Sequence, residues 1–189
     1  MLVLASASPR RHQLLRWLGV EYIVDPPEVE EHREPAETVQ RMVTRLARAK
    51  AAVVVARRPD AWVLAADTVV EVDGDVLGKP ADRREAAAML ARLAGCEHRV
   101  FTGFALTRPG GHLSANEVVM TRVRFRGITP ASIAAYVATG EPVDKAGAYA
   151  IQGFGAGLVE AVEGSFTNVI GLPLVEVNRA LEEAGLLAR

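Results

Sequence analysis

Cysteine is almost missing from this chain: Cys96 stands alone among 189 residues, so an internal disulfide framework and a CxxC metal site are both excluded. A reducing cytoplasm fits that usage best. The four histidines show no HExxH spacing, and no GxSxG elbow occurs, which removes two common hydrolase signatures. Net charge is missing as well. A formal value of −1 lacks the basic excess of a nucleic-acid or membrane-surface binder, so an anionic ligand would have to be met by a local cluster. No apolar run approaches the length of a membrane span, and the first residues lack the basic, apolar, small-residue order of a signal peptide. There is no internal repeat and no low-complexity linker. GFGAG, Gly153 to Gly157, reads GxGxG rather than GxGxxG and is not followed directly by a convincing helix, so a Rossmann dinucleotide loop is discarded.

What remains is a globular chain, 50% apolar and 24% charged, with alternating helix and strand signals. Leu2 to Ala5 reads as a strand. Pro9 to Gly19 reads as a helix, with Ser8 as N-cap, proline at the first position and glycine at the end. Tyr22 to Val24 is a second short strand, followed by the acidic loop PPEVEEHREP. From Pro35 to about Arg57, Val39, Met42, Val43, Leu46 and Ala49 follow helical spacing, with Arg41, Arg45 and Arg48 on the other side. Trp62 to Val72 suits a buried central strand, and DGD then turns the chain. A helix from about Arg83 to Leu93, a Val-, Thr- and Phe-rich hairpin through PGG, and a helix capped by Thr129 follow. A short strand around Leu158 to Val162 and a C-terminal helix from about Leu172 to Leu187 complete the pattern. The expectation is one α/β domain over residues 1–189, a mixed central sheet with flanking helices and two lobes around a cleft.

Two arginines break a local rule. Arg10 and Arg11 open the first helix, where the macrodipole and unpaired N–H groups favour acidic residues. An anion held by SASPRR would resolve this, because Ser6 and Ser8 add hydroxyls and guanidiniums bind phosphate oxygens in pairs. Ion pairs to surface carboxylates, such as those of the acidic loop, are the alternative. Asp67 is an ionisable group at the end of an apolar strand, costly to bury without a partner. A carboxylate there could hold Mg²⁺ or act as a base, or could cap the adjoining turn. Glu30 and Glu31 read as a solvated loop unless a second observation lifts one of them. Lys79 in GKP and Lys145 in DKAG lie in turn-like segments where phosphates can be met, although each alone also reads as a surface lysine. Lys50 equally suits the C-terminal part of its helix.

Taken together, SASPRRHQLL, ARAKA, AADT, GKP, GEPVDKAGAYAIQG and IGLPL stand in the order and spacing of the Maf family of nucleoside triphosphate pyrophosphatases, which the chain resembles over essentially its whole length. That resemblance implies a fold similar to the inosine triphosphate pyrophosphatases and a homodimer. It further implies hydrolysis of a nucleoside triphosphate to the monophosphate and pyrophosphate, assisted by Mg²⁺ or Mn²⁺. Matched residue by residue, Asp67 is the catalytic acid/base, and Glu31 helps Asp67 to hold the metal. Ser6, Ser8, Arg10, Lys50, Lys79 and Lys145 line the phosphates, while Arg11, Thr68 and Gln152 fall at specificity positions. The DKAGAY-x-IQG form resembles the branch acting on dTTP and UTP, with Ala150 replacing a glycine frequent in relatives. Two other readings are a pyrophosphatase for modified or purine nucleotides and a nucleotide-binding regulator of septum formation.

Overall fold

The computed structural model describes residues 1–187. Its strands are β1 (Leu2–Ala5), β2 (Tyr22–Val24), β3 (Trp62–Val72), β4 (Asp75–Leu77), β5 (Glu97–Thr107), β6 (Leu113–Phe125) and β7 (Val159–Glu163). The helices are α1 (Pro9–Trp17), α2 (Val39–Arg57), α3 (Arg83–Leu93), α4 (Pro130–Ala138), α5 (Phe166–Ile170) and α6 (Leu174–Glu183). The strands form one mixed sheet in the order β2-β1-β3-β5-β6-β7, with β4 paired to β3. This is the mixed α/β class expected from the sequence. The chain separates into two compact units.

The first unit comprises Met1–Asp67, Thr102–Val119 and the segment from Gly171 onward. Its β1 pairs in parallel with both β2 and β3, with Leu4 opposite Val24 on one side and Leu64 on the other. Parallel strands of this kind are covered on both faces, which is why β1 and residues 63–67 of β3 are uniformly buried. Val3, Ala5, Val63 and Ala65 meet Ala47, Ala51 and Val54 of α2 in one apolar cluster. Small residues on both sides let the helix lie close. At Gly103 the approach is closest, since a Cβ there would stand 2.7 Å from the Val43 carbonyl group.

The second unit comprises Thr68–Phe101 and Met120–Ile170. β4 returns antiparallel on β3 after a tight turn at Asp73 and Gly74, both at positive φ. β7 runs antiparallel to β6. α3 starts at the Asp82 cap, whose side chain accepts from the Glu85 amide, and α4 starts at Thr129 with Pro130 behind it.

Local signals placed most boundaries well. Differences arise where a signal was read too far. α2 begins at Val39 behind a Thr38 cap rather than at Pro35, because the Glu37 amide closes a turn on the Glu34 carbonyl at 3.1 Å, with Ala36 at φ 59. The C-terminal region holds two helices, α5 and α6, separated by Gly171 at φ 127 and by Pro173, so the single helix expected from Leu172 to Leu187 is shortened to Leu174–Glu183. Asp67 does not end a strand: it is central in β3, which continues to Val72, and capping of an adjoining turn is thereby excluded.

Candidate active site

α1 is built as its sequence indicates. Ser8 Oγ accepts from the Arg11 amide at 3.5 Å, Pro9 occupies the first turn, and no acidic residue stands there. The Ser8 amide in turn donates to Ser6 Oγ at 3.2 Å. Arg11 turns inward, donating through Nε to the Gly171 carbonyl at 2.8 Å and through Nη1 to Ser6 Oγ at 3.4 Å. Burial lowers its pKa from the ordinary value, the nearby Asp67 and Glu31 carboxylates oppose that shift, and Arg10 adds to it. SASPRR and the acidic residues therefore share one electrostatic environment in the first unit.

At its centre lies Lys50. Its ammonium donates to Asp67 Oδ1 at 2.6 Å and stands 2.5 Å from Glu31 Oε1. The placement follows from two periodicities. Val63, Ala65 and Asp67 share one face of β3, the face covered by α2. Lys50 lies four residues from both Leu46 and Val54 on the buried stripe of α2. Lys50 is therefore not a helix-end cation, as its position near the C-terminal part of α2 had indicated. Its side chain is 9% exposed and that of Asp67 5%, whereas Glu31 remains 44% exposed. Desolvated charges need compensation, and this triad supplies it.

The acidic loop is not merely solvated. It runs along α2 in the opposite direction and is tied at three levels. Asp25 meets Arg57 at 2.9 Å and Arg58 at 2.7 Å; Glu31 meets Lys50; and Glu37 takes both its oxygens to Arg45 at 2.8 Å each. Arg45 donates further to the His32 carbonyl at 2.8 Å, and Arg33 Nε donates to the Glu37 carbonyl at 2.8 Å. The Arg45 guanidinium holds the Glu37 carboxyl well below its ordinary range, down to about 2. Sequence periodicity had assigned Arg45 to the solvent side of α2. The available signal was a pairing of Glu37 with Arg45 across a helix start, which no helical i, i+4 rule covers.

The remaining candidates belong to the second unit. Thr68 follows Asp67 and is partly buried, and Lys79 is exposed. Lys145 Nζ donates to the Glu141 carbonyl at 2.6 Å and to Asp144 Oδ1 at 2.5 Å, so it is held within its own turn. Gln152 is partly buried and precedes Gly153, which has φ 76 and leaves no room for a side chain, since a Cβ would stand 2.4 Å from Glu141 Oε2. That carboxylate accepts from the Phe154 and Gly155 amides at 3.0 and 2.9 Å, and Tyr136 donates to it at 2.7 Å. Glu141 thus shapes the turn that presents Gln152. Sequence reading had not singled out Glu141 or Tyr136.

Among the described residues, no group of three or more His, Cys, Asp or Glu side chains is arranged to hold a metal ion. Two carboxylates that converge on one ammonium are nonetheless oxygen donors of the kind a hard cation takes. Mg²⁺ is commonly held by one or two carboxylates, with phosphate oxygens and water completing the shell. The donor set fits on that basis.

The model of the family described as "Maf-like protein" matches residues 1–184. The chain belongs to the Maf family. It is 52% identical over 186 residues to a dTTP/UTP pyrophosphatase of Myxococcus xanthus, covering 98% of this chain and 93% of that one. A dTTP/UTP pyrophosphatase of Symbiobacterium thermophilum is 51% identical over 184 residues, covering 97% and 94%. Among solved structures, a nucleoside-triphosphatase / dITP/XTP pyrophosphatase from Mycobacterium abscessus superposes at a TM-score of 0.47 with 18% identity, over 100% of this chain and 99% of that one. Among the described residues, no helix of this Maf-family chain is long and apolar enough to cross a membrane.

Proposed function

We propose that this chain is a nucleoside triphosphate pyrophosphatase that hydrolyses dTTP and UTP to the monophosphate and pyrophosphate. The observation that carries the reading is its identity of 52% and 51%, over nearly the full length of both chains, to two proteins of that name. The acidic pair on Lys50 beside SASPRR supports it chemically.

The reaction forms a bond from a water oxygen to the α-phosphorus and breaks the bridge to the β-phosphate. Pyrophosphate departs. Asp67 accepts the proton of the attacking water, and Lys50, at 2.6 Å, balances its charge in a site where water is scarce. Arg10, Lys50, Lys79 and Lys145, with Ser6 and Ser8, bind phosphate oxygens. Arg11, Thr68 and Gln152 recognise the base, with Gln152 offering a paired donor and acceptor to the uracil or thymine edge. Glu31 and Asp67 would hold a Mg²⁺ or Mn²⁺ ion, which when bound neutralises phosphate charge and polarises the reacting phosphate. The phosphate and base roles follow the family motifs position by position. The same resemblance carries one functional domain over residues 1–189 and a homodimer, while a cytoplasmic setting rests on the near absence of cysteine.

Product analysis tests this. With dTTP, dTMP and pyrophosphate should appear together from the first turnover; dTDP with inorganic phosphate as first products would reject the pyrophosphatase reading. Across dTTP, UTP, CTP and a purine triphosphate, kcat/KM should rank the first two highest.

A further inference from the structure

The strap formed by residues 25–38 is tied ionically to α2 at three levels in order, Asp25 to Arg57, Glu31 to Lys50, and Glu37 with Glu34 (3.4 Å) to Arg45, and the middle tie is the one that meets Lys50 beside Asp67. Glu31 lies in an exposed run of the chain, from residue 30 to residue 36, with no strand or helix of its own to hold it. Its position therefore depends on the flanking ties. The stronger lies six residues on, where Glu37 is buried to 8% exposure and accepts a two-pronged guanidinium at 2.8 Å on each oxygen. The same guanidinium holds the His32 carbonyl at 2.8 Å, one residue from Glu31. Arg45 and Lys50 are five residues apart on one helix. A single rigid element thus carries both the anchor and the contact that the anchor aims.

We propose that Arg45 is a positioning residue for Glu31: its joint grip on Glu37 and the His32 carbonyl sets where the Glu31 carboxylate stands, and so sets the divalent-cation affinity of the Glu31–Asp67 pair. This rests on the reading of Glu31 as a metal carboxylate. Lysine cannot reproduce the grip, because an ammonium has no planar fork to bind both Glu37 oxygens and a carbonyl together.

The test is Mn²⁺ binding, followed by electron paramagnetic resonance of the free ion, in the full chain with a non-hydrolysable α,β-imido dTTP analogue present. Arg45→Met should weaken Mn²⁺ binding by about tenfold or more, the size expected when the partner that orients a metal ligand is lost. Arg45→Lys should fall between it and the parent. Glu31→Gln should weaken binding on its own, and adding Arg45→Met to it should cost nothing further, since Arg45 acts through Glu31. Amide hydrogen exchange should quicken over residues 28–36 and stay unchanged in the buried half of α2. Mn²⁺ affinity within about twofold of the parent in both Arg45 variants, or losses that multiply in the double variant, overturns the positioning role. Unchanged affinity in Glu31→Gln alone overturns the metal reading of Glu31, and the positioning role with it. Should Arg45→Met lose its fold, Arg45→Lys carries the same comparison.

Discussion

Replacing Lys50 by methionine removes one charge while keeping most of the side-chain volume, which makes it a sharp probe of the acidic triad. Asp67 is 5% exposed at its side chain and lies 2.6 Å from the ammonium, so Lys50→Met leaves a buried carboxylate without its ionic partner. Breaking such a pair from one side costs about 3–5 kcal/mol. Glu31, 44% exposed, can turn to water and should add no more than about 1 kcal/mol. Lys50→Met should therefore lower unfolding free energy at pH 7 by about 3–5 kcal/mol, measured by urea denaturation with the slope unchanged. Lys50→Met combined with Asp67→Asn should recover more than half of that loss, because a neutral amide has far less to lose on burial. Millimolar Mn²⁺ should also stabilise Lys50→Met more than the parent, as a cation takes over the compensation. A loss under about 1 kcal/mol, or a double variant no more stable than Lys50→Met, would refute the argument that the ammonium offsets buried charge.

Asp67→Asn is nearly isosteric, and with the base role assigned to Asp67 its kcat for dTTP should fall by about 100-fold or more at unchanged far-ultraviolet circular dichroism; activity within a few-fold of the parent removes Asp67 from catalysis. Buried His98, 1% exposed and bonded to the Tyr149 hydroxyl at 2.8 Å, has its pKa pushed down to about 4 by burial. The unfolded chain takes up that proton near pH 6.5 and the folded chain only near pH 4, so stability present above pH 6.5 is lost as pH falls to 4, by about 3 kcal/mol. His98→Phe should remove that slope from denaturation curves, and a parallel pH dependence in both proteins would contradict the assignment. Gln152→Glu removes the amide donor and should cost on the order of 2–3 kcal/mol in kcat/KM for dTTP; an unchanged substrate ranking and rate would overturn its role in base recognition.

The sequence alone determined the elements whose ends are marked locally. Thr129 with Pro130 and Ser8 with Pro9 are signals within a few residues, and α1 and α4 begin where they indicate. β3 spans Trp62–Val72 as its apolar run implies. The ordered motifs also sufficed to name the family, because covalent order is all that such a match requires. Tertiary structure decided what those residues face. Lys50 and Asp67 are 17 positions apart, and Arg11 and Gly171 are 160 apart. The Glu37–Arg45 tie could not be read from a helical spacing rule, because Glu37 precedes the helix that carries Arg45. Whether a charged side chain is solvated or paired depends on which helix face meets which strand face, and at what depth. Helical period puts Lys50 on a stripe with Leu46 and Val54, but only the packing of small residues of α2 on β3, together with the close approach at Gly103, brings that stripe near enough for an ammonium to meet a buried carboxylate. Burial raises the cost of an uncompensated charge, and that energetic demand is set by three-dimensional contact rather than by neighbours along the chain.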